Sequence, residues 1–416
     1  VAETIWKQLD DLLARARQAP YYRDRFPARG PKSWRDWRKL PVTTKEDLRT
    51  AYPFGLLAVS RRKLATYHES SGTSGEPTPS FFTDSDWDDV VERFLRNAVS
   101  LCDSDTVMVK TPYSLATTAH QMHRAARRRG ALVVPADNRS SNMPYRKVVR
   151  LIGDLEVTVP WCLPTEPLLW AAAAKLAGMD PTRDFPRLRA FLVAGEPLGD
   201  AKRRRIEALW GGVTVFQDYG STETGSLAGE CRHHRMHLWS DRLLAEVQAE
   251  TGDATPFGRG RLIVTPLYRE AMPLVRYRLD DWVELSPSAC PCGSELPTVR
   301  VLDRASSAMR IQGRTVAPSE LEDAIYSLDA AHGVLFWRAR FDSDHLEVEI
   351  EAESGRAEIA GRELTERLRR DLAISATVRE VPRPLVSRQT LSQLSPFLKP
   401  RFVFRTGEDW DQAVHY

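Results

Sequence analysis

Cysteine is scarce in this chain, with five residues in 416. A small odd number over that length does not build a disulfide framework, which makes the cytoplasm the simplest expected address. Long apolar runs are missing as well, and no stretch approaches the ~20 residues that a membrane-spanning helix needs. The opening VAETIWKQLDDLLARARQAP sets Ile5, Leu9, Leu12, Leu13 and Ala16 along one helical face broken by charge, unlike a signal peptide. An excess of charge of one sign is lacking too. Lys and Arg number 59 against 56 Asp and Glu, a formal net charge of +3, so bulk charge implies neither a nucleic-acid nor a membrane partner. The arginine-rich stretches RAARRRG (124–130) and KRRRIEALW (202–210) read as solvated helix faces.

What is present is an ordinary globular composition, 42% apolar and 28% charged, in a chain long enough for two or three domains. Short β-rich runs alternate with helical ones. TVMVK (106–110), ALVVPA (131–136), EVTVP (156–160), LRAFLVAG (188–195) and VTVFQDYG (213–220) are separated by patterns such as TTAHQMHRAARRRG and PLLWAAAAKLAG. This alternation predicts an α/β fold with a large N-terminal domain, residues 1–303, on mostly parallel sheets. Between 230 and 300 strands follow one another without long helices, which predicts a β-rich subdomain. From 304 to 416 a small, mobile α+β C-terminal domain is expected, its first helix opened by a capping box from Ser319 to Glu322.

Three polar loops stand among these elements. SSGTSGEPTP (70–79) concentrates hydroxyls and backbone N–H groups with little bulk. By composition it is either a surface turn or a loop that wraps an anion. It is not a Walker loop, because the G-x-x-x-x-G-K-[ST] spacing is absent. AGEPLG (194–199) and QDYGSTETG (217–225) each close a predicted strand, and YRLDD follows at 277–281. With APYYRDRF and LPVTTKEDLRTAYPFGLLAV upstream, these motifs resemble the adenylate-forming enzymes, and among them the phenylacetate–CoA ligase branch, over nearly the whole chain.

The resemblance implies a chemistry and a site. An aryl carboxylate attacks the α-phosphate of ATP with Mg²⁺ present, and the acyl group then passes to a thiol, CoA first among the acceptors. Ser70, Ser71, Gly72, Thr73, Ser74 and Gly75 would clamp the phosphates. Gly195, Glu196 and Pro197 would line the adenine site. Asp218, Tyr219, Gly220, Ser221 and Thr222 would meet adenine and phosphate, Glu223 would hold Mg²⁺, and Asp281 would hold the ribose hydroxyls. Arg304 would contact ATP, and Lys399 is the candidate C-terminal catalytic lysine. Tyr113, Ser114, Ala116, His120, Trp161 and Ala194 would line the acyl pocket. Three departures bear on the second half-reaction: Ser306 and Ser307 at acidic hinge positions, Gln312 where arginine is usual, and Glu76 where lysine is frequent. They leave open a carrier-protein phosphopantetheine arm or an amine as acceptor, an unusual oxyanion such as nitrite as substrate, or an inactive nucleotide-binding scaffold. Either a monomer or a homodimer is compatible with the sequence.

A second cluster is chemical rather than catalytic. Cys290 and Cys292 form a C-x-C pair, and Cys231 lies upstream among His233, His234 and His237. Three thiols and an imidazole suit a tetrahedral structural zinc site, the alternative being separate buried thiols beside a solvated histidine run. The resemblance selects His237 as the fourth ligand. Cys102 and Cys162 read as buried or pocket residues.

Overall fold

The computed structural model describes residues 2–27, 30–70, 76–138, 140, 142–304, 308–382, 385 and 400–412. The chain divides into two compact units. One comprises 1–102, 113–130 and 217–306; the other comprises 103–112, 131–216 and 307–416.

In the second unit, the strands Leu132–Pro135, Thr106–Val109, Val159–Cys162 and Ala190–Val193 lie side by side in that order, and the pairs among them are parallel. The last two are buried along their whole length, as expected for apolar strands covered on both faces. Trp170 and Trp210 pack against Phe191, ring centroids 6.2 and 5.2 Å away. The C-terminal segment forms its own four-stranded sheet in the order Thr377–Glu380, Leu346–Glu351, Phe336–Phe341, Val403–Arg405. Its core, including Leu321, Ile325, Val348 and Ile350, is continuous with the rest of this unit.

The helix Pro318–Tyr326 docks on the helix Asp200–Leu209 through polar contacts. Lys202 Nζ lies 2.9 Å from Glu322 Oε1 and 3.2 Å from Thr165 Oγ1. The Ala201 amide donates to Asp323 Oδ1 at 3.2 Å, and Arg205 Nη2 donates to the carbonyls of Tyr326 and Leu328 at 3.2 and 2.6 Å. The expected capping box from Ser319 to Glu322 is not formed. Pro318 takes the first helical position, where its fixed φ fits. Glu320, not Glu322, reaches back to the Ala317 amide at 2.8 Å, which frees Glu322 for Lys202. Glu322→Ala leaves the buried ammonium only its longer ion pair to Glu196 Oε2, at 3.7 Å, and is expected to destabilise this unit by about 3 kcal/mol, the low end for breaking a buried pair. Urea unfolding would measure the loss, and a paired Lys202→Met/Glu322→Leu variant should recover part of it, since Glu196 then loses its own cation.

The first unit carries antiparallel strands in the order Leu243–Gln248, Gly258–Pro266, Tyr277–Ser286, Thr298–Arg304, Met236–Leu238, Gly225–Glu230 and then the end of Thr214–Ser221. The N-terminal helix Ala2–Ala16 buries Leu9, Leu12, Leu13 and Ala16, the face its sequence marks as apolar. The helix Asp84–Phe94 opens with a capping box between Thr83 and Asp86. Among the described residues no helix is long and apolar enough to cross a membrane.

Candidate active site

In the first unit, the strand ending at Ser221 and the strand opening at Tyr277 carry the polar residues of two motifs. Successive strand residues face opposite ways, and the two faces of the 217–225 motif do different work. Asp218 points into the core, where it accepts from Ser226 Oγ at 2.7 Å. Burial pushes its carboxyl up to about 8. That side chain is committed to the fold. Tyr219 points the other way, and its hydroxyl donates to Asp281 Oδ2 at 2.8 Å. Two residues 62 apart in sequence are thereby joined. Arg304 stands opposite Asp281 in the strand register. Gly220 admits no side chain, because a Cβ there would sit 2.2 Å from the Gly225 carbonyl oxygen.

Glu223 is 2% exposed, and its Oε1 has no hydrogen-bond partner. Beside it stands Tyr277, fully buried, its hydroxyl lacking a well-formed hydrogen bond. Burial drives the Tyr277 hydroxyl well above its ordinary pKa, and the Glu223 carboxylate adds to that. Thr78 Oγ1, at the exit of the serine-rich loop, is buried without a partner too. Such orphans are rare in folded proteins and call for an absent group. A hard divalent cation suits the carboxylate oxygen. Thr222 and Ser221 are half-buried next to Glu223, and Ser221 Oγ lies 3.0 Å from Thr224 Oγ1. Ser70 closes the base of the serine-rich loop: its hydroxyl accepts from the Thr78 amide at 2.9 Å, and its amide donates to the Thr78 carbonyl at 3.1 Å. Ser71, Gly72, Thr73, Ser74 and Gly75 lie outside the described residues, as does Lys399.

Two residues that the motifs did not mark also brace this region. Tyr277 belongs to YRLDD but carried no assigned role. Arg269, fully buried, donates to Ser80 Oγ at 3.0 Å and to the Phe81 carbonyl at 2.8 Å, with its guanidinium 3.6 Å over the Phe82 ring. Burial lowers its pKa to about 10. It fixes the strand Pro79–Phe82 that leaves the serine-rich loop.

The residues expected to line an acyl pocket are divided between the two units, each described by itself. In the first, His120 Nε2 meets the Tyr113 carbonyl oxygen at 3.0 Å, and the Tyr113 hydroxyl meets His123 Nδ1 at 3.0 Å. Ser114 and Ala116 follow in the same loop. His68 stands 5.2 Å from His120, ring to ring. Its two nitrogens are engaged by the Leu115 carbonyl and Thr66 Oγ1, and burial lowers its pKa to about 4. A histidine held neutral in the fold contributes stability above pH 6.5 that is lost as pH falls towards 4. Urea unfolding at pH 7.5 and 4.5 should show that loss, and His68→Asn should lessen it. In the second unit, Trp161 and Ala194 lie at the carboxyl ends of adjacent parallel strands, the Ala194 amide donating to the Cys162 carbonyl at 3.2 Å. Gly195 has φ +88°, a conformation that favours glycine. Glu196 is anchored by Thr165, whose hydroxyl donates to Oε2 at 2.6 Å. Pro197 follows it in the loop.

The thiol cluster assembles within the first unit. One ligand atom from each of Cys231, His237, Cys290 and Cys292 lies within 4.8 Å of the others. Cys231 and Cys290 are 3.6 Å apart at sulfur, and Cys292 Sγ is 3.3 Å from His237 Nε2. His237 Nδ1 faces the Leu296 carbonyl at 3.0 Å. That contact fixes the tautomer that leaves Nε2 for a metal. His233 and His234 are not part of the group. Cys162 is buried, as expected, whereas Cys102 is exposed at a turn.

The profile of the AMP-binding enzyme family matches residues 37–251. The chain is 31% identical to the phenylacetate–coenzyme A ligase of Pseudomonas putida over 385 residues, 86% of this chain and 85% of that protein. It is 32% identical to the phenylacetate–coenzyme A ligase of Thermus thermophilus over 351 residues, 80% of this chain and 77% of that one. A crystal structure of 2-hydroxyisobutyryl-CoA ligase in the postadenylation state, in complex with 2-HIB-AMP, superposes with a TM-score of 0.85 at 22% identity, covering 96% of this chain and 88% of the other. At that identity the likeness bears on fold alone. The chain thus belongs to the AMP-binding enzymes, in their phenylacetate–CoA ligase-like branch.

Proposed function

We propose that this chain is an AMP-forming acid–CoA ligase that activates an aryl carboxylate. A carboxylate oxygen attacks the α-phosphorus of ATP, and the bond to the departing oxygen breaks with its electron pair on pyrophosphate. The thiol sulfur of CoA then attacks the acyl carbonyl, which releases AMP and a proton. Both steps demand positioning and charge neutralisation more than proton shuttling. In this reading Tyr219 packs against adenine, Asp281 holds the ribose hydroxyls, Thr222 donates to phosphate, Arg304 contacts ATP from the strand position opposite Asp281, and Lys399 is the C-terminal catalytic lysine. Glu223 would hold Mg²⁺, which offsets the phosphate charge. Zn²⁺ in the thiol cluster would be structural, since four protein ligands leave no open position. The observation that carries the reading is the buried, unpartnered Glu223 oxygen in the same unit as the Tyr219–Asp281 hydrogen bond.

Pyrophosphate release with a panel of aryl acids, with and without CoA, tests it. Acid-dependent release and a thioester mass with CoA support the reading. Adenylate without thioester would move the acceptor to a carrier-protein thiol or an amine. Nucleotide binding without turnover on any acid would overturn it.

A further inference from the structure

Lys110 is a lysine out of place. It follows the strand Thr106–Val109 in the second unit and is 2% exposed. Among the described residues no carboxylate lies within ion-pair distance of its ammonium, and its side-chain hydrogen bond is a long one, 3.5 Å to Asn138 Oδ1. The carboxylate of Glu166 nearby is already engaged, by Trp170 Nε1 at 2.6 Å and by the Tyr145 hydroxyl at 3.3 Å. Burying an ammonium without a counter-charge is costly.

Two further donors at the same ends of the two strands are unspent. Thr111 is 2% exposed and Asn138 5% exposed, and neither Thr111 Oγ1 nor Asn138 Nδ2 has a partner. Asn138 turns its carbonyl to Lys110, so its amide is left to donate elsewhere. Lys110, Thr111 and Asn138 all stand just beyond the carboxyl ends of neighbouring parallel strands, Thr106–Val109 and Leu132–Pro135. That edge of an open α/β sheet is where ligands bind. The Lys110 amide donates to the Trp161 carbonyl at 2.8 Å, which places this group beside a residue expected in the acyl pocket.

We propose that Lys110, Thr111 and Asn138 form a subsite for an acidic oxygen group on the substrate, a carboxylate or an acidic phenol, distinct from the carboxylate that is activated. The proposal rests on the acid–CoA ligase reading and narrows its substrate class. The reacting carboxylate is the poorer occupant, because an ammonium bound to the nucleophile would stabilise the ground state that must react. A second acidic group supplies the missing counter-charge and accepts from both unspent donors. A site built to donate hydrogen bonds also rejects an analogue that lacks the acceptor, since its own buried groups then stay unpaired.

The test compares phenylacetate with its 3- and 4-hydroxy and 3- and 4-carboxy derivatives in pyrophosphate release, in wild type, Lys110→Met and Thr111→Val. Wild type is expected to prefer at least one of the substituted acids by roughly 10- to 100-fold in kcat/KM. Lys110→Met should collapse that ratio towards one, mostly through KM, and Thr111→Val should lower it several-fold. Calorimetry with the preferred acid and no ATP provides a second readout, in which its binding to wild type exceeds that of phenylacetate and the excess vanishes in Lys110→Met. Equal use of all five acids, or a wild-type preference that survives both substitutions, overturns the proposal while leaving the ligase reading intact. No turnover with any acid and no selective binding by calorimetry defeats both.

Discussion

Glu223→Gln is expected to slow acyl-adenylate formation by about 10²–10³-fold, the usual cost of removing one electrostatic group aimed at a transition state. The substitution keeps the shape of the side chain and its place beside Tyr277, but it removes the charge that would hold Mg²⁺ among the phosphates. Stability should not suffer. The carboxylate is buried with one oxygen unpartnered, and a buried charge whose hydrogen bonds are incomplete adds little to the fold. The diagnostic pattern is an unchanged Tm, a raised Mg²⁺ requirement in acid-dependent pyrophosphate exchange, and a weaker affinity for Mg·ATP by calorimetry. A lowered Tm with an unaltered Mg²⁺ requirement would mark Glu223 as a structural residue.

The second large effect concerns the thiol cluster. Cys290→Ser is expected to remove one equivalent of bound zinc per chain and to lower Tm on the order of 10 °C. Structural zinc contributes its binding free energy directly to folding, and a unit of this size loses about 2–4 °C for each kcal/mol. A large effect is expected because the segment between the strands Tyr277–Ser286 and Thr298–Arg304 has little apolar cover of its own; Pro287, Ala289, Pro291 and Glu295 are exposed. Elemental analysis of the purified protein, and Tm with and without a strong chelator, measure both quantities. Metal-free protein whose Tm ignores the substitution would reduce the four residues to neighbouring thiols and an imidazole.

Much of this arrangement is readable from the chain because its signals are local. Apolar runs such as LRAFLVAG become buried parallel strands, and the helix Asp84–Phe94 begins behind its own capping box, a signal carried by adjacent residues. The resemblance assigns Tyr219 and Asp281 to one nucleotide, and in the fold the two side chains share a hydrogen bond. The cluster of Cys231, His237, Cys290 and Cys292 is foreshadowed by residue type, although the choice among three histidines needs the fold or a resemblance. What stays hidden is long-range pairing of residues that look ordinary in their neighbourhoods. Lys202 sits in an arginine-rich helix that reads as solvated, yet it is buried against a carboxylate 120 residues away. Lys110 ends a plain strand, and nothing in TVMVK signals that its ammonium is enclosed. The placement of residues 307–416 with the parallel-sheet unit is likewise set by packing, not by composition. Asp218 shows a subtler limit: the motif marks it for a nucleotide, but strand alternation turns its carboxyl into the core.

Crystals grown with Mn²⁺, ATP and no acid offer the sharpest trial, because Mn²⁺ scatters anomalously and replaces Mg²⁺ at oxygen ligands. The metal peak is expected within about 2.2 Å of Glu223 Oε1, with the ribose on Asp281 and the adenine against Tyr219. Ordered Mn·ATP bound elsewhere, with Glu223 still unligated, would contradict the account.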